Sequence, residues 1–205
     1  MKCIDKTVIA NPMFGQWKKV GGWDASEPSS KTFDPQAQNL KQQVKKLLLS
    51  EQGYICCYCE SRITEEKSHI EHLQPRSLFP TLKEEYSNLF CSCKYNNSCG
   101  NTKGNSIIKV FPLQKTCGDV FEYKDNGKIE GIGTDAVDTI NVLRLDCEKL
   151  NATRYEMVYV FLNEMSNVTP IEFDMWIDDY LKPDANGHFR PFWSTVKSMA
   201  KEYHP

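Results

Sequence analysis

YICCYCE at residues 54–60, SHIEHLQPRS at 68–77, EEYSNLFCSC at 84–93 and CGNTKGN at 99–105 decide how this chain is read. Cys56 and Cys59 have the C-x2-C spacing that lets two thiolates in a tight turn bind one zinc ion, with Zn–S arms of about 2.3 Å in a tetrahedral shell. Cys93 and Cys99 supply the second pair downstream, and Cys99-Gly100 forms a small-residue knuckle leading into a helix start. Four sulfurs leave no position open for water. The zinc is therefore expected to be structural, tying the beginning of this segment to its end. Cys57 and Cys91 lie close enough to compete and are expected to stand outside the shell, while Cys3, Cys117 and Cys147 stand alone and are expected only to pack.

The rest of the composition supports metal over disulfide. No run approaches the roughly 18 uncharged apolar residues of a membrane span, and MKCIDKTVIANP lacks a signal peptide's long apolar stretch, so a cytoplasmic chain is expected. Thiols are kept reduced in that compartment, and six of the nine cysteines fall between Cys56 and Cys99, as metal ligands would. A length of 205 residues suits one embellished domain or two small ones. The formal net charge of −2 lacks the basic footprint of a self-sufficient nucleic-acid binder. Affinity for phosphate must then come from a local patch, from bound ions or from a partner subunit.

Outward from the cysteines, the chain reads as follows. Residues 1–33 hold Trp17, Gly21, Gly22 and Trp23 with no sustained period, which predicts an ordered but irregular arm. Asp34-Pro35 is an N-cap followed by a first-turn proline; Leu40, Val44, Leu47 and Leu48 keep helical spacing, and Gly53 ends the helix. Residues 54–105 read as short extended pieces joined by loops. VFEY and KIEGI flank KDNG, whose Asn126-Gly127 suits a hairpin turn. Helices are predicted over about 134–150, over about 152–166 behind Asn151, after Thr169-Pro170-Ile171-Glu172 as a capping box, and after Pro191. Phe161, Phe173, Trp176, Tyr180, Phe192 and Trp193 are expected to pack these helices together. His188 and His204 are expected to be structural.

The residues between the cysteine pairs carry the chemistry. An imidazole with a pKa near 6.5 can take a proton from water at neutral pH, so His72 suits a general base. Its neighbour Glu71 suits a hard divalent cation that neutralises charge on a scissile phosphate and on the departing oxygen. Asn88 and Asn101 offer amide oxygens that can coordinate a cation or orient an imidazole, and Lys103 adds a positive charge. Neighbours on an ideal strand point to opposite faces, so Glu71 and His72 can reach one ion only if the strand bends just ahead of Pro75. On an unbent strand His69 shares a side with Glu71, where it could contact DNA, support the metal shell or pack. Tyr58 and Arg76 are further candidates, Arg76 as a bidentate phosphate donor or as a solvated side chain.

Across YICCYCE, HIEHLQPRS, YSNL, SC and CGNTKGN, the segment from Tyr54 to Asn105 resembles the HNH nucleases, and specifically the HNH subunit of Septu-type anti-phage defence systems. The resemblance implies an α+β fold: a zinc-stapled ββα-metal core over 54–110, an N-terminal arm and helix over 1–53, and a β-hairpin and mainly helical region over 111–205. It implies His72 as general base and Asn88 as the residue that steadies the site. Asn101 then completes a catalytic Mg2+ or Mn2+ shell with Glu71, which stands where aspartate is usual. It further implies an endonuclease acting on nucleic acid, with DNA the expected substrate, as the effector of a defence complex with an ATPase subunit. The competing reading is a zinc-knuckle module that binds nucleic acid or protein through a degenerate site. The Glu71-His72 pair and Asn101 argue against it, because pure binding has no use for a base beside a hard-cation site.

Overall fold

A computed structural model describes residues 1–6, 12–95 and 97–203, so His204 lies outside the described residues. The fold mixes helices with two two-stranded antiparallel sheets, an α+β arrangement. One hydrophobic cluster runs from Met1 and Trp17 through the cysteine segment to Met199. No helix among the described residues is long and apolar enough to cross a membrane.

The N-terminal stretch is more regular than its sequence suggests. It forms α1 (Pro12–Lys19) and α2 (Gly22–Ala25), where an irregular arm was expected. Helices this short show no readable period, and tertiary contacts hold them. Trp17 is fully buried, packs edge-on against Trp23, and donates its indole N–H to Ser26 Oγ at 2.7 Å. Gly22 has φ +56°, and a Cβ there would come within 2.2 Å of Glu84 Oε1. That carboxylate accepts the Trp23 backbone N–H at 2.7 Å, fastening α2 beside the central segment.

Helix α3 (Pro35–Glu51) begins as its sequence predicts, with Asp34 Oδ1 accepting the Gln36 N–H at 2.8 Å. Removing this cap in Asp34→Ala is expected to lower the unfolding free energy by about 1 kcal/mol, read as an earlier urea midpoint with an unchanged slope. The helix buries Ala37, Leu40, Val44, Leu48 and Leu49, with Leu47 only half-buried. Gln52 follows it and spans the open edge of the first sheet, its amide donating to the Cys91 carbonyl and accepting the Cys91 N–H.

That sheet pairs β1 (Ser68–His72) with β2 (Leu89–Cys93), residue for residue from Ser68 opposite Cys93 to His72 opposite Leu89. The short α4 (Cys99–Lys103) follows β2. The hairpin β3 (Phe121–Tyr123) and β4 (Ile129–Gly131) turns through Gly127 at φ +77°, where a Cβ would meet the Asn151 carbonyl at 2.0 Å. Helix α5 (Thr134–Leu143) stops before 150 because Arg144 turns left-handed at φ +48°. Helix α6 (Glu148–Met165) starts behind Cys147 and not behind Asn151, whose side-chain oxygen instead accepts Arg154 Nη1. Both capping-box bonds open α7 (Pro170–Leu181), and α8 (Trp193–Glu202) follows Pro191. Phe161 meets Phe173 and Trp176, Trp176 stacks on Tyr180, and Phe192 is buried. His188 packs on Tyr54, the structural role expected of it.

Candidate metal centre and catalytic cleft

Four sulfurs from three parts of the chain converge. Cys56 and Cys59 come from the turn after α3, Cys93 from the end of β2 and Cys99 from the first residue of α4. Their Sγ atoms all lie within 4.8 Å of one another and all four residues are buried. A tetrahedron with arms of about 2.3 Å places its sulfurs about 3.8 Å apart. Cys59 Sγ and Cys93 Sγ are 3.8 Å apart, so this edge of the quartet has the dimension of a zinc site. The Cys93 N–H donates to Cys56 Sγ at 3.4 Å, the Cys59 thiol donates to Ser61 Oγ at 3.3 Å, and hydrogen bonds to Cys56 hold the Cys59 and Cys99 thiols well above their usual range. Burial opposes ionisation of Cys56, but hydrogen bonds with Cys57, Cys59, Cys93 and Cys99 outweigh it and pull this thiol well below its usual range. Cys57 and Cys91 are buried outside the quartet, and burial pushes both thiols up, Cys91 to about 12. They are packing thiols.

Beside this knot lies a cleft of about 480 Å³ along the last residues of β1, lined among others by His69, Glu71, His72, Arg76, Lys83 and Gly100. His72 sits in its wall with residue exposure of 8%. Its Nε2 lies 2.9 Å from the Lys83 carbonyl, and a carbonyl can only accept, so Nε2 carries the proton and Nδ1 keeps the lone pair. The indole of Trp23 holds the ring edge-on at 4.6 Å. Burial is the main cause that draws the His72 pKa down to about 4, so at pH 7 the ring is neutral with its Nδ1 lone pair free, a weaker base than free imidazole.

Glu71 is the charged counterpart. Lys103 Nζ lies 3.0 Å from its Oε1 and is itself almost wholly buried. Tyr58 Oη donates to the same oxygen at 3.2 Å, and His69 Nε2 lies 3.2 Å from Oε2. Burial alone would raise this carboxyl, but the His69 hydrogen bond and the Lys103 ammonium hold it below the ordinary carboxylate range. Lys103 also donates to the His72 carbonyl at 2.9 Å, so a single ammonium clamps both adjacent site residues.

Two expectations about this cleft change. The bend ahead of Pro75 falls past the pair: the chain bends at Leu73 and Gln74, while β1 keeps its one-to-one register through His72. Glu71 and His72 accordingly face different partners, Glu71 toward Lys103, Tyr58 and His69, and His72 toward Trp23 and the Lys83 carbonyl. Both still line one cleft because it takes residues 69 to 72 in succession. Asn101 does not join them. It is exposed, and its amide donates to the Tyr95 carbonyl at 2.9 Å. Besides Lys103, the residue of α4 that faces Glu71 is Gly100, where a Cβ would lie 2.5 Å from Glu71 Oε2 and 2.7 Å from His69 Nε2.

Asn88 is buried behind the cleft. Its Oδ1 accepts the Gln74 N–H at 2.6 Å, and its Nδ2 donates to the carbonyls of Gln74 and Leu82. Asn88 thus pins both ends of the loop that follows His72, the geometry of a positioning residue. Arg76 lies over the Trp23 ring at 4.6 Å, at the mouth. Trp23, Lys83 and Gly100 are site residues that sequence reasoning missed. Trp23 is about fifty positions from His72 with no local signal linking them, whereas a glycine inside a helix start was a readable hint that something approaches closely. A neighbouring groove of about 350 Å³ shares Trp23, His69 and Ile70 and adds Lys41, Lys45 and Lys94.

No family model matches the chain. It is similar to a protein of Vibrio cholerae serotype O1 biovar El Tor named "Retron Vc95 putative HNH endonuclease", with 31% identity over 103 residues. The match takes in 47% of this chain and 50% of the relative, so the chain spans about half the length of the curated relative it matches, and the likeness supports an HNH endonuclease relationship.

Proposed function

We propose that this protein is a metal-dependent endonuclease that hydrolyses phosphodiester bonds of nucleic acid, with DNA as substrate, and that β1, β2 and α4 act as its zinc-stapled ββα-metal core. The observation that carries this reading is the single cleft holding a neutral, proton-accepting His72 beside the ionised Glu71, next to four converging cysteines. The relative's name supports it.

In this reading the cysteine quartet holds Zn2+ and fixes α4 against β2, which places Gly100 and Lys103. His72 Nδ1 takes the proton from the attacking water, oriented by the Nε2 bond to Lys83 and the face of Trp23. Glu71 would hold Mg2+ or Mn2+, which would neutralise charge on the scissile phosphate and the departing 3′ oxygen. Arg76 and the lysines of the two adjoining grooves give the acidic chain a local basic surface for the phosphate backbone. Purified protein is expected to nick supercoiled plasmid only with added Mg2+ or Mn2+. Plasmid binding without cutting, with or without a co-purified partner, would favour the zinc-knuckle binding module.

The resemblance to Septu HNH subunits supports a place as effector of a cytoplasmic anti-phage complex with an ATPase subunit. Helices α6 and α7 expose Tyr159, Ile171 and Met175, apolar surface that suits a protein partner. Recovery of free monomer alone from cells would count against that partner.

A further inference from the structure

We infer that His69 is a second protein ligand of the catalytic ion, paired with Glu71 along one strand, in a site that the missing side chain of Gly100 keeps open. This rests on the nuclease reading above. Residues two apart on an unbent strand share a face, and the regular register of β1 puts His69 and Glu71 there together. Nε2 of His69 and Oε2 of Glu71 are 3.2 Å apart. Two adjacent ligands of an octahedral ion with arms of about 2.1–2.2 Å lie about 3.0–3.1 Å apart, so the pair already spans one edge of such a shell. Lys103 and Tyr58 engage Oε1 and leave Oε2 to the ion. The remaining positions are open to water and phosphate oxygen, as a catalytic ion needs.

Gly100 supplies the independent observation. It sits in α4 facing both donor atoms, and any larger residue would put its Cβ within 2.7 Å of them. Position 100 therefore cannot bear a ligand, and Asn101 is turned away to the Tyr95 carbonyl, so β1 supplies both ligands. Binding would replace the hydrogen bond between His69 and Glu71 with two metal bonds, the ring staying neutral as its proton is exchanged through solvent from Nε2 to Nδ1. Imidazole also changes the choice of ion. It suits transition ions, whereas Mg2+ prefers oxygen and keeps its waters, so the site should favour Mn2+ over Mg2+.

The test titrates Mn2+ into zinc-loaded full-length protein without nucleic acid, reading free Mn2+ by electron paramagnetic resonance, with Mg2+ as competitor. Wild type is expected to bind one Mn2+ at least tenfold tighter than Mg2+. His69→Ala and His69→Gln are each expected to weaken Mn2+ on the order of 100-fold and to erase the preference over Mg2+, with zinc content and melting temperature retained. His69→Gln keeps a hydrogen-bond donor for Glu71, so wild-type Mn2+ binding in that variant means His69 only orients the carboxylate and overturns the inference. Gly100→Ala is expected to block Mn2+ without releasing zinc, and wild-type affinity there overturns it equally. The two readings fail separately. Unchanged Mn2+ binding in the His69 variants with nicking lost in His72→Ala sinks this site alone. His69-dependent Mn2+ binding in a protein that never cuts leaves the site and sinks the nuclease.

Discussion

Replacing His72 with alanine is expected to lower metal-dependent plasmid nicking by about 10²- to 10⁴-fold, the range a positioned general base contributes. The expectation follows from how completely the ring is held. Nε2 is committed to the Lys83 carbonyl, Trp23 fixes the ring plane, and burial keeps it neutral, so its role reduces to the Nδ1 lone pair. Among the described residues no other imidazole is placed to take over. His69 is engaged with Glu71, and His188 packs on Tyr54 beside Asp184. The substitution leaves the cysteine quartet untouched, so zinc content by metal analysis should equal wild type. Undiminished nicking by the folded, zinc-loaded variant would remove His72 from the mechanism.

The second large effect is structural. Cys59→Ser should lose the zinc and unfold the segment from Tyr54 to Asn105, because apparent binding energies for structural zinc are about 10–16 kcal/mol and act as folding energy. In this reading the ion would tie small elements to the hydrophobic cluster that runs through the segment. β1 and β2 form an isolated two-stranded sheet and α4 is one short turn of helix, neither stable alone. Cys57→Ser provides the control. Its sulfur is equally buried but lies outside the quartet, so zinc should stay and only a modest packing loss should appear in the melting curve. Equal zinc retention by the two variants would show that the quartet is not the binding site.

Elements that depend on neighbours in sequence were legible. The Asp34 cap, the Thr169–Glu172 capping box and the Asn126-Gly127 turn each complete their hydrogen bonds within a few residues, and all stand in the structure. Boundaries that depend on a distant partner were not. Helix α5 ends at a left-handed arginine that carries no local stop signal, and α1 and α2 exist because Trp17 and Trp23 find a core elsewhere.

The site divides along the same line. Thiolate spacing is its own signal, since four sulfurs at those intervals have few chemical uses, and the residue types Glu71 and His72 are those expected of a cation ligand beside a base. Facing is another matter. Successive helical residues differ in direction by about 100°, so whether α4 offers position 100 or 101 to Glu71 depends on its rotation about its axis. Cys99 at φ +59°, held among the other three cysteines, sets that rotation and turns Gly100 inward and Asn101 to solvent. The residue types of the site could thus be read along the chain, whereas their facing, the Lys103 clamp and the Trp23 wall arise only from contacts between segments that folding brings together.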